Sequence, residues 1–587
     1  MDRNTIIAIV LSVIVITVGM TINMVFFPAD YTAAETTTTT SLPAETAGVQ
    51  ESALPVATGN VEDTSPFVIE TDAFSVTLDP QGASVSSIRL KNHLESSTGE
   101  PVELILKDSS GRNAFLLYTD NSLTSPLLDY YDHTIEETDT VVNVSFYRDY
   151  EYDGSSFQIV KRFAFPKSEE YLFRVNVLFN STDGTDLPID HYTLAYDPQI
   201  GPYFRELDNS YGEYRRAFYR EFDDNNRHNV SNYDNGIATV EDPVGWAAVA
   251  GKYFTVIGVP DQNSTYTTEY RQTTGDSLIA QTNSFYFTRT VISGTTVSDV
   301  YSYYTGPKLS SSLSIYDVAN NNVFGLTGMM LDEVLDSSSW LGWLQTILRV
   351  ILNFFYRITH NYGVAIILLT ILVKLLIQPL SKKGMDSTAK MSALTPKVQE
   401  LQAKYKDDPN ALNAAMAKLY KEEGISPMGS CLPMLIQFPI FIALYGLLST
   451  HYELRGSMFI PGWIPDLSIP DTVFTLPFGI PFLGDEVHLL PIIYTASMIF
   501  SMKITQTANT QSGQAGMMKF MTYGMPIIFF FILYNAPSGL LLYWTVMNFI
   551  SIIQQVYVNK KKTQKYADEI RAKEEAKINK YKTRKRK

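Results

Sequence analysis

Two hydrophobic periods divide this chain. Between residues 67 and 335, apolar and polar positions alternate with period two. Phe74–Leu78, Val85–Leu90, Val141–Phe146, Ser156–Val160 and Tyr171–Phe179 are the clearest runs. They are rich in Tyr and Thr and separated by Asp-Gly or Asn-rich breaks, a pattern that predicts an antiparallel β-sandwich. From Trp340 onward the period changes. Apolar residues at 340, 343, 344, 347, 348, 351, 354, 355 and 358 fall at helical spacing, interrupted by Arg349 and Arg357. This predicts an amphipathic helix over 340–360 lying on a membrane interface, with a core helix of the sandwich as the alternative. Apolar stretches then follow at 361–380, 431–450, 488–503, 519–534 and 539–558. Those of about 20 residues match the hydrocarbon thickness of a bilayer; 488–503 is short for a span.

Residues 1–27 carry a further apolar run, Ile6 to Phe27. It is longer than the core of a cleaved signal, and Phe26-Phe27-Pro28 is a poor cleavage site, so retention as a first span is expected. Residues 28–66 are rich in Thr, Ala, Pro and Ser and predict a flexible linker. In the polar 381–430 segment, Met391, Leu394, Val398, Leu401 and Tyr405 alternate spacings of three and four. Asp408-Pro409 then predicts an N-cap and first turn, and Gly424 a stop, giving an antiparallel helical hairpin. Residues 451–487 form a loop rich in Pro, Gly and aromatics, with Trp463 suited to a membrane interface.

Charge orients the set. The 381–430 segment holds eight lysines and the 559–587 tail thirteen Lys or Arg. The positive-inside rule puts both in the cytosol, which requires six spans, cytosolic termini and an external sandwich domain. The net charge of -15 comes mainly from that domain, so the global balance says little about partners. One cysteine, Cys431, excludes an intrachain disulfide or a thiolate zinc cluster, and no histidine sits in an HExxH spacing. No metal or cofactor site is expected, and without a recognisable acid/base pair no enzymatic activity is expected either.

The chemistry of interest lies in Gly363–Leu380, GVAIILLTILVKLLIQPL, where Lys374 interrupts an apolar run. A lysine at a helix centre costs about 2.5–3.5 kcal/mol on insertion scales. Lys374 lies six residues before Leu380, about 9 Å at 1.5 Å per residue, so it falls in the cytosolic half with Thr370 one turn earlier on the same face. Either polar surroundings hold the cation or it snorkels to headgroups. Pro379 and the polar Ser381-Lys382-Lys383 are expected to end the span. Pro433, Pro439 and Pro526 predict kinks in the third and fifth spans.

The stretches GVAIILLTILVKLLIQPL, MSALTPKVQEL, the run from Lys418-Leu419-Tyr420 through CLPMLIQFPIFIALY, WIPDLS and PSGLLLYW together resemble the YidC-type membrane protein insertases of the Oxa/Alb family. The MDRNT start, VGWAAVAGKYF and YTGPK resemble the Gram-negative form with a large periplasmic domain. The resemblance implies a polytopic α-helical inner-membrane protein with six transmembrane helices, five of them the insertase core, plus an all-β periplasmic supersandwich. It implies insertion and folding of nascent membrane proteins, alone or with the Sec translocon, through a hydrophilic groove open to the cytosol. Lys374, Thr370, Gln437, Tyr543 and Trp544 are the groove residues it implies, and the hairpin carries Met391, Leu394, Val398, Leu401, Lys418 and Tyr420. The basic tail is dense enough for the ribosome or for anionic lipids. One position departs from the family: Lys374 stands where arginine is usual, which removes bidentate capture of a carboxylate and keeps a charge. A solute transporter is the competing class, but no Asp or Glu lies in the apolar stretches after residue 360 and no internal repeat is present. A membrane-anchored periplasmic binding module is the third.

Overall fold

The computed structural model describes residues 54–95, 98–107, 111–203, 213–261, 264–273, 282–335, 341–405, 408–424, 432–481, 483–505, 519–558, 561–562 and 564–585. The expected first span at 1–27, most of the linker, Trp340, Cys431 and the polar turn at 506–518 lie outside these residues.

Period-two patterning becomes sheet. Phe74–Asp79 alternates buried and half-buried positions along its length, because successive side chains of a strand point to opposite faces. The largest sheet has ten strands. Its centre runs, all antiparallel, through Val141–Tyr152, Ser155–Pro166, Leu172–Ser181, Thr296–Pro307, Phe254–Val259, Val244–Gly251 and Arg215–Glu221. A five-stranded sheet centred on Tyr266–Thr273, Thr282–Arg289 and Tyr192–Tyr196 packs against it. The approach is close at Gly258, where a Cβ would stand 2.7 Å from the rings of Phe285 and Phe287. A side chain there would force the layers apart. The shared core is aromatic, with Trp246, Tyr270, Phe285 and Tyr303 fully buried. Val56–Ala57 adds to the large sheet by pairing with Tyr150 and Glu151, so sheet structure begins inside the stretch read as linker. Composition could not reveal this, since a two-residue strand depends on the edge it meets.

One of the buried cations of this domain is fully enclosed by its core. Lys161 is fully buried, and its Nζ donates to the carbonyls of Gly82 (2.9 Å), Ala83 (2.9 Å) and Phe115 (2.6 Å). Burial pushes its ammonium down to about 7.

The helical region begins with α1, Gly342–Thr359. Leu348 and Leu352 are buried in the helical core, while Trp343, Ile347, Val350, Phe354 and Ile358 form an exposed apolar stripe. Next comes α2, Tyr362–Ala393, one helix of 32 residues containing Pro379. The apolar window long enough to span a membrane ends at Pro379, while the helix itself continues past it: proline removes one amide donor, and the hydrogen-bond ladder resumes beyond it. The seam from Met391 to Tyr405 is also divided, with α3 starting at Thr395 and ending at Lys404. Pro396 suits a first helical turn, where its missing N–H has no partner to lose. Leu394 and Val398 are buried, Met391 and Leu401 half-buried. In α4, Pro409–Glu422, the Asp408 carboxylate accepts from the amides of Asn410 and Ala411, which is the cap its place before Pro409 predicts.

The remaining helices are α5 (Leu432–Thr450), α6 (Leu489–Thr505), α7 (Met525–Leu533, after a π-helical turn at Phe520–Gly524), α8 (Ser538–Val558) and α9 (Gln564–Lys585). Among the described residues, Tyr362–Pro379 and Ser538–Tyr557 are long and apolar enough to cross a membrane; Gln437–Thr450, Leu489–Ile504 and Thr522–Leu533 are shorter apolar helices.

Residues 451–455 join the helices to the β domain. Tyr452 packs edge-on against Tyr253 and Phe254, with ring centroids 5.5 and 5.0 Å away. Arg455, itself buried, donates to Glu213 (2.9 Å), Glu95 (3.2 Å) and the Tyr203 carbonyl (2.7 Å). Removing one member of a buried ion pair costs about 3–5 kcal/mol. Arg455→Met is therefore expected to loosen this joint. Amide hydrogen exchange over 452–455 should accelerate by roughly 100-fold, and unchanged exchange would show that Tyr452 alone holds it.

Candidate functional site

Lys374 sits on α2 facing α8. Its Nζ donates to Ser551 Oγ at 2.8 Å, and the Ser551 hydroxyl donates onward to the Met547 carbonyl at 2.8 Å. The serine proton is thus committed to its own helix, leaving an oxygen lone pair for the ammonium. No carboxylate among the described residues forms an ion pair with Lys374. One turn earlier on α8, Asn548 Nδ2 donates to Ser497 Oγ on α6 at 2.8 Å, and Ser497 donates to the Tyr494 carbonyl at 2.7 Å. A polar seam thus links α2, α8 and α6 between otherwise apolar faces.

The other sequence-predicted residues divide. Trp544 lies two turns before Ser551 on α8. Its ring stacks on Phe441 of α5 at 5.2 Å and 7°, and meets Tyr494 of α6 at 6.1 Å. Gln437, half-buried, is one turn before Phe441 on α5. Tyr543 and Trp544 are both buried, and Tyr543 OH, Trp544 Nε1 and the neighbouring Thr545 Oγ1 have no hydrogen-bond partner among the described residues. Thr370 is fully buried and its hydroxyl donates to the Ile366 carbonyl at 2.6 Å, so it serves its own helix. The hairpin residues stand apart on α2, α3 and α4: Lys418 is exposed and Tyr420 half-buried on α4. The basic tail folds back toward them. Lys562 pairs with Asp386 of α2, and Lys573 Nζ lies 3.7 Å from Glu423.

Sequence reading missed Ser551, Asn548 and Ser497. The signal was present: Asn548 and Ser551 are three residues apart, hence on one face of α8. Which helix that face meets was not readable. Elsewhere, Glu221, Asp224 and His228 bring possible ligand atoms within 4.8 Å of one another, but the Asp224–His228 pair at 3.1 Å accounts for that grouping without a metal. The β domain also has a cleft of about 620 Å³ bordered by Arg174, Arg220 and Asp261.

Residues 67–353 match the family model described as "YidC periplasmic domain", and residues 354–565 match "60Kd inner membrane protein". The chain is 35% identical over 585 residues to the "Membrane protein insertase YidC" of Treponema denticola, spanning 95% of this chain and 99% of that one. The chain belongs to the YidC family. The YidC of Treponema pallidum is 32% identical over 634 residues, covering 96% of this chain and 100% of its own. A crystal structure of an active YidC insertase aligns with 85% of this chain and 93% of its own at 18% identity and a TM-score of 0.33. As a YidC family member this is a membrane protein with a β-rich domain followed by a helical region; the PSGLLLYW stretch runs from Pro537 into α8. The first residues of that helix are tied to the WIPDLS segment and the residue after it: Ser538 and Gly539 amides donate to the Ile469 and Leu467 carbonyls, both at 2.8 Å.

Proposed function

We propose that this chain is a membrane protein insertase whose substrate route is a hydrated groove at the α2–α8–α6 seam, open to the cytosol, with Lys374 as its positive charge. Six spans carry it in the inner membrane, both termini are cytosolic and the β domain is periplasmic. The observation that carries this reading is the Lys374–Ser551 contact at 2.8 Å beside the Asn548–Ser497 pair. A cation bonded to one hydroxyl, with no counter-charge among the described residues, is costly in a dry helix bundle. Unmet polar capacity at Tyr543 and Trp544 likewise favours wet surroundings.

Insertion makes and breaks no covalent bond. The drive is apolar partition of the client segment into lipid, about 0.8 kcal/mol per buried CH₂. The barrier is desolvation of its polar flanks. A wet notch shortens the apolar path those flanks must cross, and an ammonium at its base attracts an acidic flank. The helices α5 and α7, with Pro439 and Pro526, flank the exit into lipid. Gln437 and Trp544 mark where the polar seam gives way to that path. Clients are nascent membrane proteins, delivered directly or with the Sec translocon.

Photocrosslinking from position 374 to a ribosome-stalled membrane protein tests the route. Adducts are expected from 374 and from 551. Adducts from the lipid-exposed Leu376 with none from 374 or 551 would place the client elsewhere. The tail and hairpin are the proposed cytosolic docking surface for ribosomal RNA, with anionic lipid as an additional contact. Truncation after Val558 is expected to remove ribosome co-sedimentation at low salt. Unchanged, salt-sensitive binding would assign the contact to the hairpin alone.

A further inference from the structure

The segment between α5 and α6 contains a feature that insertion does not use. Thr472–Ile480 and Gly484–His488 pair into a two-stranded antiparallel ribbon with register shifts. Among the described residues no third strand joins it. Val473 (42%), Phe474 (54%), Phe478 (62%) and Ile480 (37%) are exposed. An isolated two-stranded ribbon is marginal in water unless a surface backs it, and a long apolar edge left bare is an association hazard. The aromatic side chains therefore call for a cover.

The root of the ribbon says which cover. Strand Gly484–His488 runs into α6 at Leu489 with no linker. Asp471, immediately before the first strand, caps that helix: its Oδ2 accepts from the amides of Leu489 (3.1 Å) and Leu490 (2.7 Å) and from Trp463 Nε1 (2.9 Å). Tyr534, at the end of α7, donates to the Glu486 carbonyl at 2.9 Å. Four contacts thus fix the ribbon where α6 and α7 end. On the proposed reading of these helices as spans, that is the outer membrane boundary. The hydrocarbon interior is closed to it, because open strand edges there leave backbone groups unsatisfied. The interface is different. Water and headgroups satisfy the edges, and aromatic side chains are favoured at that depth. The ribbon carries acidic Asp485 and Glu486 and no Lys or Arg, so attraction to anionic headgroups is not the driving term.

We infer that the 472–488 ribbon lies in the outer-leaflet headgroup region and anchors the outer end of α6 and α7 by its apolar side chains, in zwitterionic lipid as well as anionic. This rests on the reading of α6 as a span, and the test separates the two. The full chain, with Cys431→Ser, is labelled with an environment-sensitive fluorophore at Phe478→Cys or, as a second site, Thr475→Cys, and reconstituted into phosphatidylcholine vesicles. Phe500→Cys on α6 and Ser231→Cys in the β domain are the references. Expected is severalfold stronger quenching at 478 by nitroxide lipid labelled near the headgroup than by deep-labelled lipid, unchanged by salt. Position 500 should respond to the deep label and 231 to neither. If 500 is quenched and 478 and 475 answer only to aqueous iodide, the ribbon is not in lipid. Self-quenching between copies at 478 without lipid quenching would assign the cover to a second chain and overturn the proposal. Failure at 500 would instead remove the span reading itself.

Discussion

Lys374→Glu is expected to abolish insertion of clients with acidic flanks, while Lys374→Arg keeps it. At 4 Å and an effective dielectric near 20, a unit charge pair interacts by about 4 kcal/mol. Reversing the sign turns that attraction into repulsion, and every 1.4 kcal/mol is about tenfold in rate or occupancy. Arginine retains the charge and can reach Ser551, whose oxygen is 2.8 Å from the lysine Nζ. Ser551→Ala should be milder, about 1–2 kcal/mol, since the ammonium loses one neutral acceptor. Insertion into proteoliposomes of one acidic-flanked and one neutral-flanked client separates charge from fold. Full activity of Lys374→Glu with the acidic-flanked client would sink the electrostatic role.

A second large effect is expected in the β domain. Lys161→Met should destabilise it by about 3–5 kcal/mol, because three buried carbonyls lose their donor at about 1–3 kcal/mol each before relaxation. Two of those carbonyls belong to Ala83 and Phe115, non-glycine residues held at positive φ of 46° and 66°. The ammonium thus clamps two strained turns. At roughly 2–4 °C per kcal/mol for a domain of this size, unfolding should fall by on the order of 10 °C. The pH dependence has a definite sign. The folded group titrates at about 7 against 10.5 for free lysine. Between these values the unfolded chain holds the extra proton, so stability rises with pH across that window. The cost of burying the charge is felt in full below about 7 and is gone above 10.5. Thermal unfolding against pH should show this slope in the native chain and lose it in Lys161→Met. A flat native profile would mean the three carbonyls hold the proton on as well as water does.

The secondary structure was legible wherever one period dominated. Val141–Phe146 and Leu172–Phe179, from the predicted runs, lie in long strands of the large sheet. Asp408-Pro409 carried its own cap chemistry and started α4. Punctuation was less reliable. Pro379 closes the apolar window yet sits inside a 32-residue helix, whereas Pro396 marks a restart. A proline costs one hydrogen bond wherever it falls, and its neighbours decide whether the helix survives the loss. The lone cation could be singled out because a charge in an apolar run is conspicuous. Its partner could not, because Ser551 is 177 residues further along the chain.

What the sequence determined by itself was therefore local: which stretches alternate, which are apolar long enough to leave water, where the charge is, and which family the motifs resemble. Those properties reside in the order of side chains and need no partner to be expressed. Tertiary structure alone decided that Lys374 meets Ser551, that Thr370 serves its own helix, that Arg455 clasps the β domain and that Lys161 holds two turns. Except for the Thr370 bond to Ile366 in its own helix, each is a pairing between distant segments, and many segments offer equally good donors and acceptors. Only close packing of helices and sheets selects among them, because a buried polar group is tolerated only where the right partner arrives within hydrogen-bond distance.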